Sequence, residues 1–467
     1  MFLAGATAID ATPAAAAPDG RVAYGAAALF SGPITTGHVI EPLSALPSGL
    51  AAHGYVEQEF FASGTARAFR AVSAPRDGRW RVDPTTSAFY RTRILVRRPA
   101  DPARFNGTVV VEWMNVSLGE SAPEWDYLNP ELMDDGYAYV AVSAQAEGVD
   151  GGTPLLGSSV ASGLVESEPA RYGTLVHPGD RYALDMFAQI GRALRRPRGP
   201  VLGGLHPAHV VAVGESQAAF NLTTFADALQ PLTGAFDGIF IHSRAGSGAS
   251  LAGSPLPSTP SLQGLRIRTD LDVDVFMFET QTDLIELGYA AARQPDTDRI
   301  RTWEVAGTAH ADAYLVGAAV GFLGCTTPIN DGPQHVVAEA AFFAFTRWVV
   351  DGTPPPSPPP LRLATVAPPA LLLDAHGNGL GGVRTPAVDV PTSTLSGAAP
   401  PGTSEICSLF GSTTPFSPAE LARLYGDQQG YLAAYTASLD RAIERGYILR
   451  ADRAGLLAAA RRVRIGA

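Results

Sequence analysis

The chain has 467 residues, of which 46% are hydrophobic and 17% are charged, so it is long enough to bury a large core. Its formal net charge of −11 argues against nucleic acid as a partner, because the phosphates would be repelled. No stretch of about 18 uncharged apolar residues occurs, so the sequence predicts no membrane-spanning helix.

The amino-terminal residues 1–20 are rich in alanine and lack the basic and apolar regions of a secretory signal peptide. Two interpretations of this segment stay open. It is either a disordered leader or the remnant of a trimmed precursor.

Residues 21–350 carry the pattern of an α/β core. β-type runs at 22–30, 55–72 and 87–99 predict an antiparallel opening of the sheet. Further predicted strands cover 107–113, 136–145, 209–214, 237–242 and 272–278, and predicted helices cover 124–135, 180–196 and 336–350. Strands that alternate with helices predict a mostly parallel central sheet flanked by helices.

Two long connections interrupt this alternation, at residues 146–178 and 243–271. Loops of this length are uncommon without a function, so both are predicted to be lid or cap insertions over the active site. In the second insertion we expect three leucines to contact the substrate, namely Leu251, Leu256 and Leu262.

The carboxy-terminal residues 351–467 begin with a proline cluster, which predicts a stiff and extended connection. A glycine-rich stretch and two or three helices follow. We expect this segment to pack on the core as an appendage, because it is too irregular for an independent domain.

The most informative motif joins the predicted strand at 209–214 to a helix-compatible segment. Gly214-Glu215-Ser216-Gln217-Ala218 is typical of a nucleophile elbow, in which a serine stands on a strained turn between small residues. The usual pattern has glycine where this chain has Ala218. The motif predicts Ser216 as a nucleophile, and leaves Glu215 either to orient a neighbouring group or to face solvent.

A serine nucleophile needs a base, which on such folds follows later in the chain. His310 comes after a short predicted strand at 303–305 and a loop that contains Gly307. His242 ends the strand next to the elbow and leaves no room for an intervening acid. His310 is therefore the predicted base.

The acid that orients the base should follow the strand before His310. Asp283 lies a few residues past the apolar strand at 272–278, and we predict that it is this acid. Glu279 is the alternative, because it is a carboxylate nearer the end of the same strand.

The oxyanion of an acyl-transfer reaction needs two hydrogen-bond donors. We predict the backbone N–H of Gln217 as one donor, and the segment after the strand at 107–113, with Asn115, as the other. Aromatic and apolar residues near these loops are candidates for the substrate pocket, namely Trp113, Met114, Trp125 and Tyr314. The histidines form no metal-binding motif, so we expect no metal and no cofactor.

Several motifs occur together and resemble a large group of mostly bacterial α/β-hydrolase-domain proteins. They are GESQ at 214–217, EWMNVS at 112–117, HPGDRY at 177–182, GTAHAD at 307–312 and GNGLGGVRTP at 377–386. The resemblance runs from about residue 30 to the carboxy terminus and implies an α/β-hydrolase fold. In that group the acid is usually preceded by Glu-Thr, and this chain has Gln281-Thr282-Asp283, which supports Asp283.

The two cysteines, Cys325 and Cys407, lie in loop-like segments, and proteins of the group that this chain resembles tend to carry cysteines at both places. The resemblance thus favours a Cys325–Cys407 disulfide and an oxidising compartment, secreted or periplasmic. Two inert thiols in a cytoplasmic protein are the alternative.

The combined expectation is a serine hydrolase that cleaves small-molecule carboxylic esters through an acyl-enzyme. The same three residue types also serve peptidases, amidases and acyltransferases, since the pockets set the leaving group and the acceptor. A catalytically silent hydrolase fold that binds a ligand is a further alternative. The oligomeric state stays open.

Overall fold

A nine-stranded mixed sheet forms the centre of this computed structural model, which describes residues 25–44, 49–156, 161–253, 264–322, 324–398, 400 and 402–465. In chain order the strands are Leu29–Ser31 (β1), Tyr55–Ser73 (β2), Arg81–Pro99 (β3), Thr108–Trp113 (β4), Ala138–Val142 (β5), His209–Glu215 (β6), Gly238–His242 (β7), Asp274–Glu279 (β8) and Ile300–Glu304 (β9). The predicted leader at 1–20 lies outside the described residues.

The strand order across the sheet is β1-β2-β3-β5-β4-β6-β7-β8-β9. β1, β2 and β3 pair antiparallel, and β3 is also antiparallel to β5. From β5 to β9 all neighbouring strands are parallel. The predicted fold class, an α/β-hydrolase sheet with an antiparallel opening, is confirmed.

Helices cover both faces of the parallel part, as its continuous apolar strands require. The α-helices are Pro123–Asp134 (α1), Ala146–Asp150 (α2), Leu164–Ser167 (α3), Pro169–Tyr172 (α4), Ala183–Arg195 (α5), Gln217–Thr224 (α6), Gln230–Thr233 (α7), Gln281–Ile285 (α8), Ala313–Val316 (α9), Gln334–Asp351 (α10), Pro386–Asp389 (α11), Glu405–Ser408 (α12), Pro418–Tyr425 (α13), Gln428–Glu444 (α14) and Arg453–Ala460 (α15). Short 3-10 turns cover Pro102–Arg104, Asp180–Tyr182, Tyr289–Ala292 and Gly317–Phe322, and a π-helical turn covers Phe225–Leu229.

The two faces of the sheet bury separate cores because side chains alternate along each strand. On one face Val111 packs in a cluster with Phe187 of α5 and Leu222 of α6. On the other face Val110 packs in a cluster with Leu128 of α1 and Phe342 of α10. The sheet is thereby held rigidly between two helical layers.

The carboxy-terminal segment packs directly against the loops at the carboxyl edge of the sheet. It contains two hairpins, formed by Leu363–Val366 (β10) with Pro369–Leu371 (β11) and by Ser393–Ser396 (β12) with Ser412–Pro415 (β13). The Ala306 amide donates to the Val383 carbonyl at 2.9 Å, and the Thr282 hydroxyl donates to the Gly397 carbonyl at 2.6 Å.

Cys325 and Cys407 form a disulfide, as predicted. It links the chain beyond α9 to α12 of the carboxy-terminal segment. Within the ranges that the structure describes, no helix is both long and apolar enough to cross a bilayer.

Candidate active site

Ser216 stands on a sharp turn between β6 and α6. Its backbone has φ 59° and ψ −118°, a conformation that costs a non-glycine residue energy. The turn is tight, because a Cβ at Gly214 would lie 2.9 Å from the Cβ of Ala218. The alanine in place of the usual glycine is thus accommodated, and it makes glycine necessary at position 214.

Three predicted side chains meet at this turn. His310 Nε2 lies 2.7 Å from Ser216 Oγ, and His310 Nδ1 lies 2.7 Å from Asp283 Oδ1. His310 is 4% exposed and Asp283 is fully buried. They come from loops after β6, β8 and β9, which end at one edge of the sheet, where α/β proteins bind their ligands.

The environment of His310 favours its protonated form. Burial lowers the pKa of the imidazole, but the hydrogen bond to Asp283 and the negative charges of Asp283 and Glu215 outweigh this, so the pKa is raised. An imidazolium formed during a reaction is therefore stabilised in place.

Glu279, the alternative acid, makes no contact with His310 in the described structure. It is the last residue of β8 and fully buried, and burial followed by the charge of Asp283 raises its pKa well above the usual value. A residue inside the strand is directed towards the protein interior, whereas Asp283 lies in α8 beyond the edge of the sheet.

Glu215 lies next to Ser216 and does not face solvent. It is 3% exposed, and its Oε1 is 3.7 Å from His310 Nε2. Burial raises the pKa of its carboxyl group to about 7, although His310 and His242 lower it. The motif alone did not decide between an inward and an outward side chain at this position.

The two predicted oxyanion donors differ in whether they already have an acceptor in the described structure. The Gln217 N–H is the first of α6, so it has no partner within the helix, and no other described residue accepts from it. Asn115 lines the cavity, but its donors are engaged within the protein, and its part in the oxyanion hole stays a prediction. The Asn115 amide side chain donates to the Glu215 carbonyl at 3.2 Å, and its backbone N–H donates to Ser121.

A cavity of about 510 Å³ opens above Ser216 and His310. Its apolar walls are formed by Leu43, Leu118, Trp125, Leu156, Tyr314, Leu315, Val316, Ile406, Leu409 and Phe410. Trp125 and Tyr314 thus line the pocket, as predicted.

Trp113 and Met114 do not line the cavity, which corrects their assignment as pocket residues. Trp113 is fully buried against the ring of Phe187, with ring centroids 5.0 Å apart. Met114 is buried in the core on the opposite face of the sheet. Both residues sit at the end of a central strand, where the helical layers enclose them on either face.

The predicted insertions contribute unequally to the described walls. Leu156 belongs to the insertion at 146–178 and lines the cavity. The described residues of 243–271 do not line it, and Leu251 packs against the main core instead. Leu256 and Leu262 lie outside the described residues.

The carboxy-terminal wall of the cavity was not predicted from the sequence. Ile406, Leu409 and Phe410 flank Cys407, and the Leu409 carbonyl accepts a hydrogen bond from the Ala311 amide at 3.1 Å. The predicted disulfide was the signal that could have found them, since it ties this segment to the chain that follows His310. Within the described ranges, no group of three or more His, Cys, Asp or Glu side chains is arranged to hold a metal ion.

Several solved structures resemble the chain at low identity. A fungal esterase from Rhizomucor miehei is 8% identical, with a TM-score of 0.28, over 61% of this chain and 85% of its own. A glucuronoyl esterase from Solibacter usitatus is 10% identical, with a TM-score of 0.29, over 64% and 83%. A siderophore hydrolase from Aspergillus nidulans is 12% identical, with a TM-score of 0.25, over 56% and 77%.

Sequence comparison assigns the family. No curated protein matches the chain significantly. The family model described as alpha/beta hydrolase domain matches residues 30–458, which is most of the chain and includes Ser216, Asp283 and His310. The chain therefore belongs to this alpha/beta hydrolase domain family.

Proposed function

We propose that this hydrolase-family protein cleaves carboxylic esters through a covalent acyl-enzyme, with Ser216, His310 and Asp283 as its catalytic triad. The observation that carries the proposal is the hydrogen-bonded chain from Ser216 Oγ through His310 to Asp283, with both contacts at 2.7 Å. This is the geometry that nucleophilic catalysis requires, namely a nucleophile, a base and a group that orients the base.

In the first half-reaction His310 Nε2 accepts the Ser216 proton while Oγ attacks the ester carbonyl carbon. The Gln217 N–H donates to the oxyanion that forms, at the positive end of the α6 dipole. Collapse of the tetrahedral intermediate breaks the carbon–oxygen bond of the ester. His310 returns the proton to the departing alcohol.

In the second half-reaction a water molecule gives a proton to His310 and attacks the acyl carbon. The acid product leaves, and Ser216 regains its proton. Throughout, Asp283 stays ionised and accepts a hydrogen bond from the Nδ1–H of His310, which keeps Nε2 available to Ser216.

The size and walls of the cavity support an ester with apolar groups as the substrate. A volume of about 510 Å³ lies within the usual range of small-molecule pockets. Leucines, aromatic rings and Val316 form most of its surface, so an acyl chain or an apolar alcohol would be removed from water on binding.

The test combines an active-site probe with a substrate panel. We expect a fluorophosphonate probe to label the wild type, and p-nitrophenyl esters to be cleaved in preference to peptides, amides and lactones. Ser216→Ala should lose labelling and cleavage. Ser63→Ala changes a serine on β2 that does not line the cavity. This variant is the matched control and should keep both labelling and cleavage.

Labelling that persists in Ser216→Ala would refute this nucleophile. A wild-type protein that takes no label and cleaves nothing would favour the catalytically silent binding protein. Cleavage of peptides or amides alone, or acyl transfer to an alcohol in place of water, would replace the esterase by one of the other triad enzymes.

A further inference from the structure

The described walls of the catalytic cavity carry acidic side chains but no permanently charged basic ones. Asp126 and Glu215 both line the cavity, whereas the described walls include no lysine and no arginine. His310 also lines the described walls, but it must be neutral to act as the base, so it supplies no positive charge to the active form of the site. A charged substrate would therefore meet carboxylates without a compensating cation.

Asp126 is the more informative of the two carboxyl groups. It lies in the first turn of α1 and is half-buried, yet its carboxylate makes no hydrogen bond or ion pair in the described structure. Burial alone raises its pKa to about 6. Neither of its carboxylate oxygens is closed off from solvent, so the group can meet a ligand that enters the cavity.

Other features of Asp126 hold it at the cavity. Its backbone carbonyl accepts hydrogen bonds from Tyr314 Oη at 3.3 Å and from the Asn129 side chain at 2.9 Å. Tyr314 and Asn129 also line the cavity. The carboxylate is thus carried by a wall whose backbone position is fixed.

Glu215 adds a second negative group at the bottom of the cavity. Because its Oε1 is 3.7 Å from His310 Nε2, an imidazolium formed during the reaction offsets the charge of Glu215. The charge of Asp126 has no such partner. Among the described walls, Asp126 is therefore the carboxylate whose charge a substrate would meet without compensation.

We propose that the site discriminates against anionic esters and accepts neutral and cationic ones, with the Asp126 carboxylate as the main determinant. This inference rests on the esterase function proposed above. At an effective dielectric constant of about 20, a pair of like charges about 12 Å apart changes a binding equilibrium on the order of tenfold, and a closer pair changes it by more.

The test uses three p-nitrophenyl esters that differ in charge or polarity at the far end of the acyl chain. The hexanoate is apolar, the methyl glutarate is polar and neutral, and the monoglutarate is anionic. We expect kcat/KM for the monoglutarate to be on the order of tenfold below that of the methyl glutarate, with added salt narrowing the gap. Equal values for these two esters would overturn the proposal.

Two variants locate the effect. Asp126→Asn should reduce the ratio of kcat/KM between the methyl glutarate and the monoglutarate on the order of tenfold. Asp126→Glu should keep most of that ratio, which would show that the charge of the side chain, and not a folding defect, causes the change. Asp134→Asn, an exposed acid on the same helix outside the cavity, is the control and should leave the ratio unchanged. An equal change in Asp134→Asn would assign the effect to net charge and refute a role for the cavity wall.

The outcome also separates this inference from the proposed function. Failure to cleave all three esters would overturn the esterase assignment and this inference with it. Cleavage of all three at equal rates would leave the esterase assignment standing and remove only the charge preference. A second comparison places the charge on the alcohol group of the ester. Butyrylcholine, which is cationic, should be cleaved at least as well as its uncharged isostere 3,3-dimethylbutyl butyrate. A clear preference for the isostere would contradict the proposal that cationic esters are accepted.

Discussion

Thr280 donates two hydrogen bonds to a single carboxylate oxygen of Asp283. The backbone N–H of Thr280 lies 2.6 Å from Asp283 Oδ2, and its hydroxyl lies 2.7 Å from the same atom. The other oxygen, Oδ1, is thereby directed to His310 Nδ1. The first of these bonds is one half of the capping box of α8, whose other half is the Asp283 N–H donating to Thr280 Oγ1 at 3.4 Å, so the start of the helix and the orientation of the Asp283 carboxylate depend on one local motif.

Asp283→Asn is predicted to lower kcat for ester cleavage on the order of 10⁴-fold, because an amide favours the wrong tautomer of the histidine. Glu279→Gln should be nearly silent in kcat, since Glu279 does not contact His310 in the described structure and burial, with the charge of Asp283, raises its pKa and so disfavours the charged form. Steady-state kinetics on one p-nitrophenyl ester measures both. A damaging Glu279→Gln with a nearly silent Asp283→Asn would show that the acid is Glu279.

Glu215→Gln is predicted to move the acid limb of the kcat/KM profile to lower pH. The base must be neutral, so activity rises as pH passes the pKa of His310. Burial lowers that pKa, but Asp283 and the ionised Glu215 raise it by more. Because burial raises the pKa of Glu215 itself to about 7, only its ionised fraction acts on His310, and removing that fraction lowers the pKa of His310.

The measurement for Glu215 is a full pH profile of kcat/KM on a neutral ester, with Asp134→Asn as a charge-matched control outside the site. Titration of His242 does not contribute to this limb, because burial lowers the pKa of His242 to about 4, below the pH range in which His310 titrates. An unchanged limb, or one that moves to higher pH, would exclude electrostatic coupling between Glu215 and His310.

The elbow and the histidine loop were predictable because their signals are local. Gly214, Ser216 and Ala218 lie within one turn, and the tightness of that turn dictates which residues fit. The choice of Asp283 as the predicted acid was less direct, since Asp283 and Glu279 both follow the predicted strand at 272–278. The capping box with Thr280, visible in the sequence as a threonine three residues before an aspartate, was the signal that distinguishes them.

The walls of the cavity were less predictable because they depend on contacts between distant segments. Leu409 and Phe410 reach the site only through the packing of the carboxy-terminal segment, which no periodicity in the sequence indicates. Trp113 has the composition expected of a pocket residue, but its direction is set by strand alternation and by Phe187 on α5.

Loss of the disulfide is predicted to destabilise the protein and loosen one cavity wall. The bridge closes a loop with a sequence separation of 82, for which the chain-entropy relation gives roughly 4 kcal/mol. Cys325→Ser, Cys407→Ser and the double variant should lose similar amounts in denaturant unfolding. Two free thiols titrated in the unfolded, unreduced wild type would contradict the bridge.

The carboxy-terminal wall is predicted to set the preferred length of the acyl chain. Leu409→Ala removes an apolar side chain from the cavity but keeps the backbone carbonyl that accepts from the Ala311 amide. The enlarged cavity should admit longer or bulkier acyl chains, and each additional buried methylene is worth about 0.8 kcal/mol, or roughly fourfold in kcat/KM. The readout is kcat/KM across a series of p-nitrophenyl esters from acetate to dodecanoate.

Leu251→Ala is the matched control for this wall. Leu251 comes from the insertion at 243–271 but packs against the main core, so its truncation should reduce stability without reordering the esters. If Leu251→Ala reorders the acyl series and Leu409→Ala scales every ester by one common factor, specificity belongs to the insertion and not to the carboxy-terminal wall. Because both variants remove the same three carbon atoms, the comparison isolates the position of the side chain from its size.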